Sequence, residues 1–335
     1  MFLNSWSLGL TISSLLVLFL GIFAGRTAVR VLRYWNPASD SNLQIRLENE
    51  IWLASTLVEY GLGFQIFTLI LFVLAADHFC KVIVGAMCAT GALLANSFGM
   101  PALFVKIAGV FLYGFWIVLH KLDISVETYP LVKLKYIFLL LILPVLFADF
   151  ILQTLYIANL SPDIITSCCA VVFGSGAKTG QNLLENFREQ TVLLLYYGAI
   201  LVLFGTGCLL LKRWIMPLVA IYSSGWLAFL GVATVAIITV FSSYIYAMPY
   251  HKCPFCILKP QYHYIGFILY FTLIPASFLG ISILLVEPLK RISGLAESVR
   301  KYQQKAIYAS LVLLLVLAAT SSYHFILYKI TGGES

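Results

Sequence analysis

Long apolar runs, broken by short polar segments, fill almost the whole chain. A helix that crosses a bilayer needs about 20 mostly apolar residues. Nine segments approach or exceed that length: residues 8–25, 51–75, 79–97, 101–120, 134–158, 191–211, 215–246, 264–286 and 307–328. Barrel strands would be about 10 residues long with strict alternation, and these runs are longer and more uniform. The pattern predicts an all-α polytopic transmembrane helical bundle of 8–9 spans. The count is open at Ser97-Phe98-Gly99-Met100-Pro101, which reads either as a tight turn between two spans or as a kink. The span over 215–246 is long enough to tilt or to project beyond the lipid. The first run ends in Gly25-Arg26-Thr27-Ala28 without a basic leader before it, so it reads as a retained span rather than a cleaved signal.

Composition agrees with lipid as the solvent. Residues of the set AVILMFWYC make up 61% of the 335 positions and charged residues 10%, against about 25% charge in soluble domains. The whole chain, 1–335, reads as a single integral membrane domain. No loop is long enough to hold an ATPase, so a pumping motor would be a separate subunit. Gly174-Ser175-Gly176-Ala177-Lys178-Thr179 lacks the spacing of a phosphate-binding loop. The net charge of +7 lacks the basic, aromatic-interleaved tract that nucleic acid would need. The excess instead sets orientation, because cytoplasmic loops collect Lys and Arg. Lys121, Lys133 and Lys135, then Lys212 and Arg213, then Lys290, Arg291, Arg300, Lys301 and Lys305 mark three cytoplasmic loops. Loops 159–190 and 247–263 then face outward. Arg26, Arg30, Arg33 and Arg46 conflict with nine spans, which places an error in the count near residues 79–120 or an interfacial segment at 26–50.

The outward loops carry the candidate chemistry. His251-Lys252-Cys253-Pro254-Phe255-Cys256 contains a Cys-x-x-Cys, whose two sulfurs can meet at about 2.05 Å in a reducible ring. Lys252 and a protonated His251 would raise the thiolate fraction. The other loop holds the vicinal pair Cys168-Cys169. Cys253, Cys256, Cys168 and Cys169 are therefore the candidate catalytic residues of a membrane thiol–disulfide oxidoreductase. Static disulfides or half of a metal site are the other readings. Cys80 and Cys88, eight residues apart on an expected helix and so about 12 Å apart along its axis, read as packing residues, as does Cys208. The two cysteine pairs on one membrane face resemble those of the disulfide-generating membrane enzymes of the DsbB and vitamin K epoxide reductase types. That resemblance rests on Cys253, Cys256, Cys168 and Cys169 alone. It implies electron relay between the pairs, an extracytoplasmic thiol protein as partner and a quinone as terminal carrier.

The outer span ends are rich in tyrosine, which suits an interfacial belt or, at Tyr250, Tyr262 and Tyr264, a flat site for a quinone ring. His251, His263 and His324 are expected outward too, and with the loop cysteines form a candidate soft-metal cluster. Ionisable residues inside spans cost about 2.5–3.5 kcal/mol each and mark functional paths by default. Glu59, Lys106 and Asp149 are the three. Glu59 and Lys106 are expected to neutralise each other, with Asp149 left without an evident cation. These features support a second function: a transporter or permease subunit for a soft metal ion or small solute. A third is a non-catalytic membrane subunit braced by disulfides. The expected location is a prokaryotic plasma (inner) membrane, among other membrane subunits.

Overall fold

Small residues decide how the first helices approach. The computed structural model describes residues 4–36, 41–161, 188–248 and 251–331. Helix α1 (Ser5–Tyr34) opens on Asn4, whose side chain accepts from the Trp6 backbone at 3.1 Å. Such a cap satisfies an otherwise unpaired N–H. Its buried stripe includes Ser7, Ser14, Gly21, Ala24, Gly25 and Ala28. Gly21 and Gly25 form a small-xxx-small pair, the pattern that lets membrane helices touch. A Cβ on Gly25 would lie 2.8 Å from Leu143 of α5 (Val132–Ala158).

Helix α2 (Asn42–Phe79) is capped by Ser41, and α4 (Gly99–Asp123) follows a short α3 (Ala89–Leu93). The chain groups into two compact units. In the first, α1 packs on α2 and α5, and α4 packs on α2 and α5. Its core runs through Val17, Ala28, Val58, Trp116, Tyr136 and Ile142.

The second unit contains α6 (Glu189–Lys212), α7 (Met216–Tyr246), α8 (Ile265–Val286) and most of α9 (Ala296–Thr331). Its helices are tied by hydroxyl pairs: Tyr196 to Ser321 at 2.9 Å, Tyr222 to Ser310 at 2.8 Å and Ser282 to Tyr302 at 2.7 Å. Polar contacts of this kind hold helices together where lipid supplies no hydrophobic drive. Helix α7 contains a π-helical turn at Ile237–Phe241.

Among the described residues there is no strand, and eight helices are long and apolar enough to cross a membrane. The chain is an integral membrane protein with an all-α bundle. The expected span at 79–97 is not one of the eight. α2 ends at Phe79, and the chain then runs through turns to α3, with Gly85 at φ +83. The segment is apolar enough for a span, but it is not helical between Cys80 and Cys88, and Gly85 within it takes a left-handed backbone. Removing this span also removes the conflict over Arg26–Arg46. With eight crossings in alternation, the link between α1 and α2 is expected on the same side as the basic link between α4 and α5, within the first unit.

Candidate functional site

The loop after α7 is short and tied down on several sides. Ala247 turns the chain with φ +52, and Tyr246 donates to the carbonyl of Cys253. Tyr270 of α8 donates to the carbonyl of Pro254 at 2.7 Å. Cys256 begins a 3-10 turn, Cys256–Leu258, and the Lys259 N–H closes it onto the Cys256 carbonyl at 3.0 Å. His263 and Tyr264 adopt φ +51 and +56 where the loop enters α8. At Gly266, in the first turn of α8, the backbone of Ile257 lies so close that a Cβ would come within 2.9 Å of its carbonyl.

This scaffold brings three sulfurs together. Those of Cys88, Cys253 and Cys256 all lie within 4.8 Å of one another. The Cys253 thiol donates to Cys88 at 3.4 Å, and Thr90 stands 3.3 Å from Cys253. Lys259 reaches across to the carbonyl of Met87 at 3.4 Å, which ties the Cys88 segment to the loop. The three residues are 1%, 0% and 6% exposed, so a folded protein substrate cannot reach their sulfurs as they stand. Hydrogen bonds to Cys253 and Cys88, with burial added, push the Cys256 thiol well above its ordinary range. Burial lowers the His251 imidazole, an effect that the Cys88 sulfur opposes and Lys259 reinforces. Burial likewise raises Tyr262.

The assignment of Cys88 as a packing residue on a helix is therefore corrected. It is buried in the apolar core, as a packing residue is, but it lies in the bend before α3 and not on a helix, with its sulfur 3.4 Å from that of Cys253. Cys168, Cys169 and Tyr250 fall outside the described residues, so the expected relay between two pairs is not addressed by this geometry. Among the histidines, His251 flanks the cluster, with its ring 4.4 Å from that of Tyr246. Neither it nor His263 and His324 joins the three sulfurs as a converging donor. His263 and His324 are instead within electrostatic reach of each other. Tyr262 packs 4.5 Å from the Tyr246 ring, while Tyr264 is half-exposed and near Phe267.

The intramembrane charges pair differently from the expectation. Lys106 is bound to Asp149, Nζ to Oδ1 at 3.0 Å. Glu59 is bound to Lys121 at 2.5 Å and faces His120 at 3.5 Å. Lys106 also lies over the Phe72 ring, 5.4 Å from its centroid. Asp149 thus has its cation, and Glu59 is neutralised near the end of α4.

Fold and site together define an integral membrane protein with a buried three-cysteine centre. Comparison with protein families, curated proteins and solved structures finds no match to this chain.

Proposed function

We propose that the three-cysteine centre binds a soft metal ion, and that the protein captures such an ion at the extracytoplasmic face of its membrane. The convergence of three sulfurs within 4.8 Å carries this reading. Three thiolates around one ion at about 2.3 Å stand about 4 Å apart in trigonal geometry. The observed triangle needs only small side-chain movements to close on an ion. Thiolate donors select copper(I), zinc and related ions. Burial keeps the three sulfurs from other thiols in solution, and thiolates bound to a metal ion are paired with its charge. Lys259, bonded to the carbonyl of Met87 beside Cys88, supplies positive charge near the thiolates. The cytoplasmic side is taken as the basic end of the bundle, by the positive-inside rule.

The test is direct titration of the reduced, detergent-solubilised protein with copper(I) or zinc, followed by thiolate–metal charge-transfer absorption. One equivalent is expected to bind and to protect the three thiols from maleimide. A chain with Cys88, Cys253 and Cys256 all changed to Ser should bind none at that site. Full maleimide reactivity in the presence of metal would sink the proposal.

A second reading is favoured by the 3.4 Å contact between Cys88 and Cys253. In it, a Cys253–Cys256 disulfide is attacked at the Cys253 sulfur by the Cys88 thiolate. A Cys88–Cys253 bond forms and the Cys256 thiolate leaves, with the electron pair conserved. A quinone or an extracytoplasmic thiol protein would complete the circuit, and Cys168 and Cys169 would extend it. Thiol labelling across redox potentials separates the readings. A couple near about −200 mV belongs to redox catalysts, and a metal-protected dithiol without one belongs to the cage.

A further inference from the structure

The first unit holds more buried polarity than its ion pair requires. Lys106 and Asp149 are 3% and 1% exposed. Ser7 Oγ, Gln65 Oε1, Tyr113 Oη and Asp149 Oδ1 are buried without a hydrogen-bond partner among the described residues. Asp149 Oδ1 does face the Lys106 ammonium at 3.0 Å, so its charge is balanced while its hydrogen-bond geometry is not. An unpaired buried polar group is destabilising, and hydrocarbon supplies no replacement partner. Native proteins settle such groups with internal water.

The groups are also ordered in depth. Ser7 lies at the start of α1. Ser14 is two turns deeper and accepts from Gln153 Nε2 at 3.2 Å. Gln153 stands one turn along α5 from Asp149. Gln65 Nε2 donates to Asp149 Oδ2, which leaves the amide carbonyl turned away from that bond. Tyr113 lies two turns along α4 from Lys106 and within electrostatic reach of Asp149. These polar groups are spaced from the start of α1 to the ion pair, and every one of the four long helices contributes at least one of them.

We propose that Asp149 is a proton-binding site, reached by water along the Ser7–Gln153 column. A hydronium ion transfers its proton to the Asp149 carboxylate, leaving water and a neutral carboxyl group, and the reverse step returns it. No electrons move. Lys106 is not stranded when this happens. Thr68 Oγ1 already lies 3.5 Å from its ammonium, and the Phe72 ring centroid is 5.4 Å from it. The titratable groups facing Asp149 are Lys106 and Tyr113 of α4. Helices α1 and α2 face it with Ser14, Gln65 and Thr68, which do not titrate. Glu59 and His120 are engaged with each other and with Lys121. The site is independent of the cysteine centre.

Infrared difference spectroscopy on the whole protein in lipid nanodiscs tests it. Acidification should produce a carboxylic-acid carbonyl band that is lost in Asp149→Asn and shifted in Tyr113→Phe. Should Asp149→Asn fail to fold, Tyr113→Phe and an experimental density map of the wild type decide. The map should show water bonded to Gln65 Oε1 and Tyr113 Oη. A spectrum indifferent to both substitutions, or dry density around Gln65 with no shift in Tyr113→Phe, would overturn the proposal and leave a static clamp between α4 and α5.

Discussion

Cys88 precedes Cys253 by 165 positions, yet their sulfurs are in contact. Local spacing exposes Cys253 and Cys256 as a pair, because their separation is short and fixed. It cannot expose a third cysteine supplied by another part of the chain. Nor does Gly85 mark the break in the sequence, because glycine is common in membrane helices and its φ of +83 is known only from the structure. The pairing of Lys106 was hidden for the same reason. Two carboxylates were within the membrane, and nothing in the spacing says which helix lies next to α4. Two predictions belong to single residues. Cys88→Ser should weaken metal binding by more than about 100-fold, beyond the 10–100-fold loss typical of an outer-shell partner. Cys208→Ser, on α6, should leave it unchanged, and competition against a chromophoric chelator measures both. The second concerns pH. The Cys256 thiol is held above its ordinary range, so it carries its proton at neutral pH. A metal ion must displace that proton. Apparent affinity should therefore rise with pH and fall on acidification, by up to about tenfold per pH unit for each proton displaced. An affinity flat across neutral pH would mean that the thiols are not the ligands.

Helices were the most legible elements, because a run of about 20 apolar residues has few other stable fates. The π-helical turn gives a physical context for the long seventh run: α7 continues through it to Tyr246. The exception, 79–97, shows the limit of the rule. Some of its apolar residues are buried by protein instead of lipid, with Ile83, Cys88, Ala89 and Ala92 all nearly inaccessible, while Val82, Val84 and Met87 are exposed. Hydropathy alone does not distinguish these two ways of leaving water. The junction between loop and α8 was not legible either, since a glycine at a helix start has many uses. Here Gly266 lets the Ile257 backbone lie against α8, which fixes Cys256 one residue earlier. Gly266→Ala should push that turn outward at a cost of about 1–3 kcal/mol, the usual penalty for overpacking. Metal affinity and thermal stability should drop together. Thermal unfolding with and without metal reads both. A variant with wild-type affinity would show that the 3-10 turn does not hold Cys256 in place.

At the scale of the molecule, charge and connectivity agree once the span count is eight. Each unit has one end rich in basic residues. In the first, Arg30 is paired with Glu50, Lys121 with Glu59 and Lys135 with Asp123. In the second, Lys290 stands over the Trp214 ring at 4.0 Å, next to Lys212 and Arg213. If all eight helices cross, alternation along the chain is expected to put the links after α1, α4, α6 and α8 on a single side, which the positive-inside rule assigns to the cytoplasm. The same alternation predicts that the cysteine loop between α7 and α8 faces the other way. Single cysteines introduced into a cysteine-free background test this. At Asn159 a membrane-impermeant maleimide should react in intact cells. At Arg213 and Ser293 it should react only after permeabilisation. The reverse pattern would turn the bundle over and place the three sulfurs in the cytoplasm. There, reducing conditions keep thiols available, and the cage would receive ions from inside the cell instead of capturing them outside. A mixed pattern, with Arg213 and Ser293 on different sides, would mean that one of the eight apolar helices does not cross, and the orientation argument would fail at that helix.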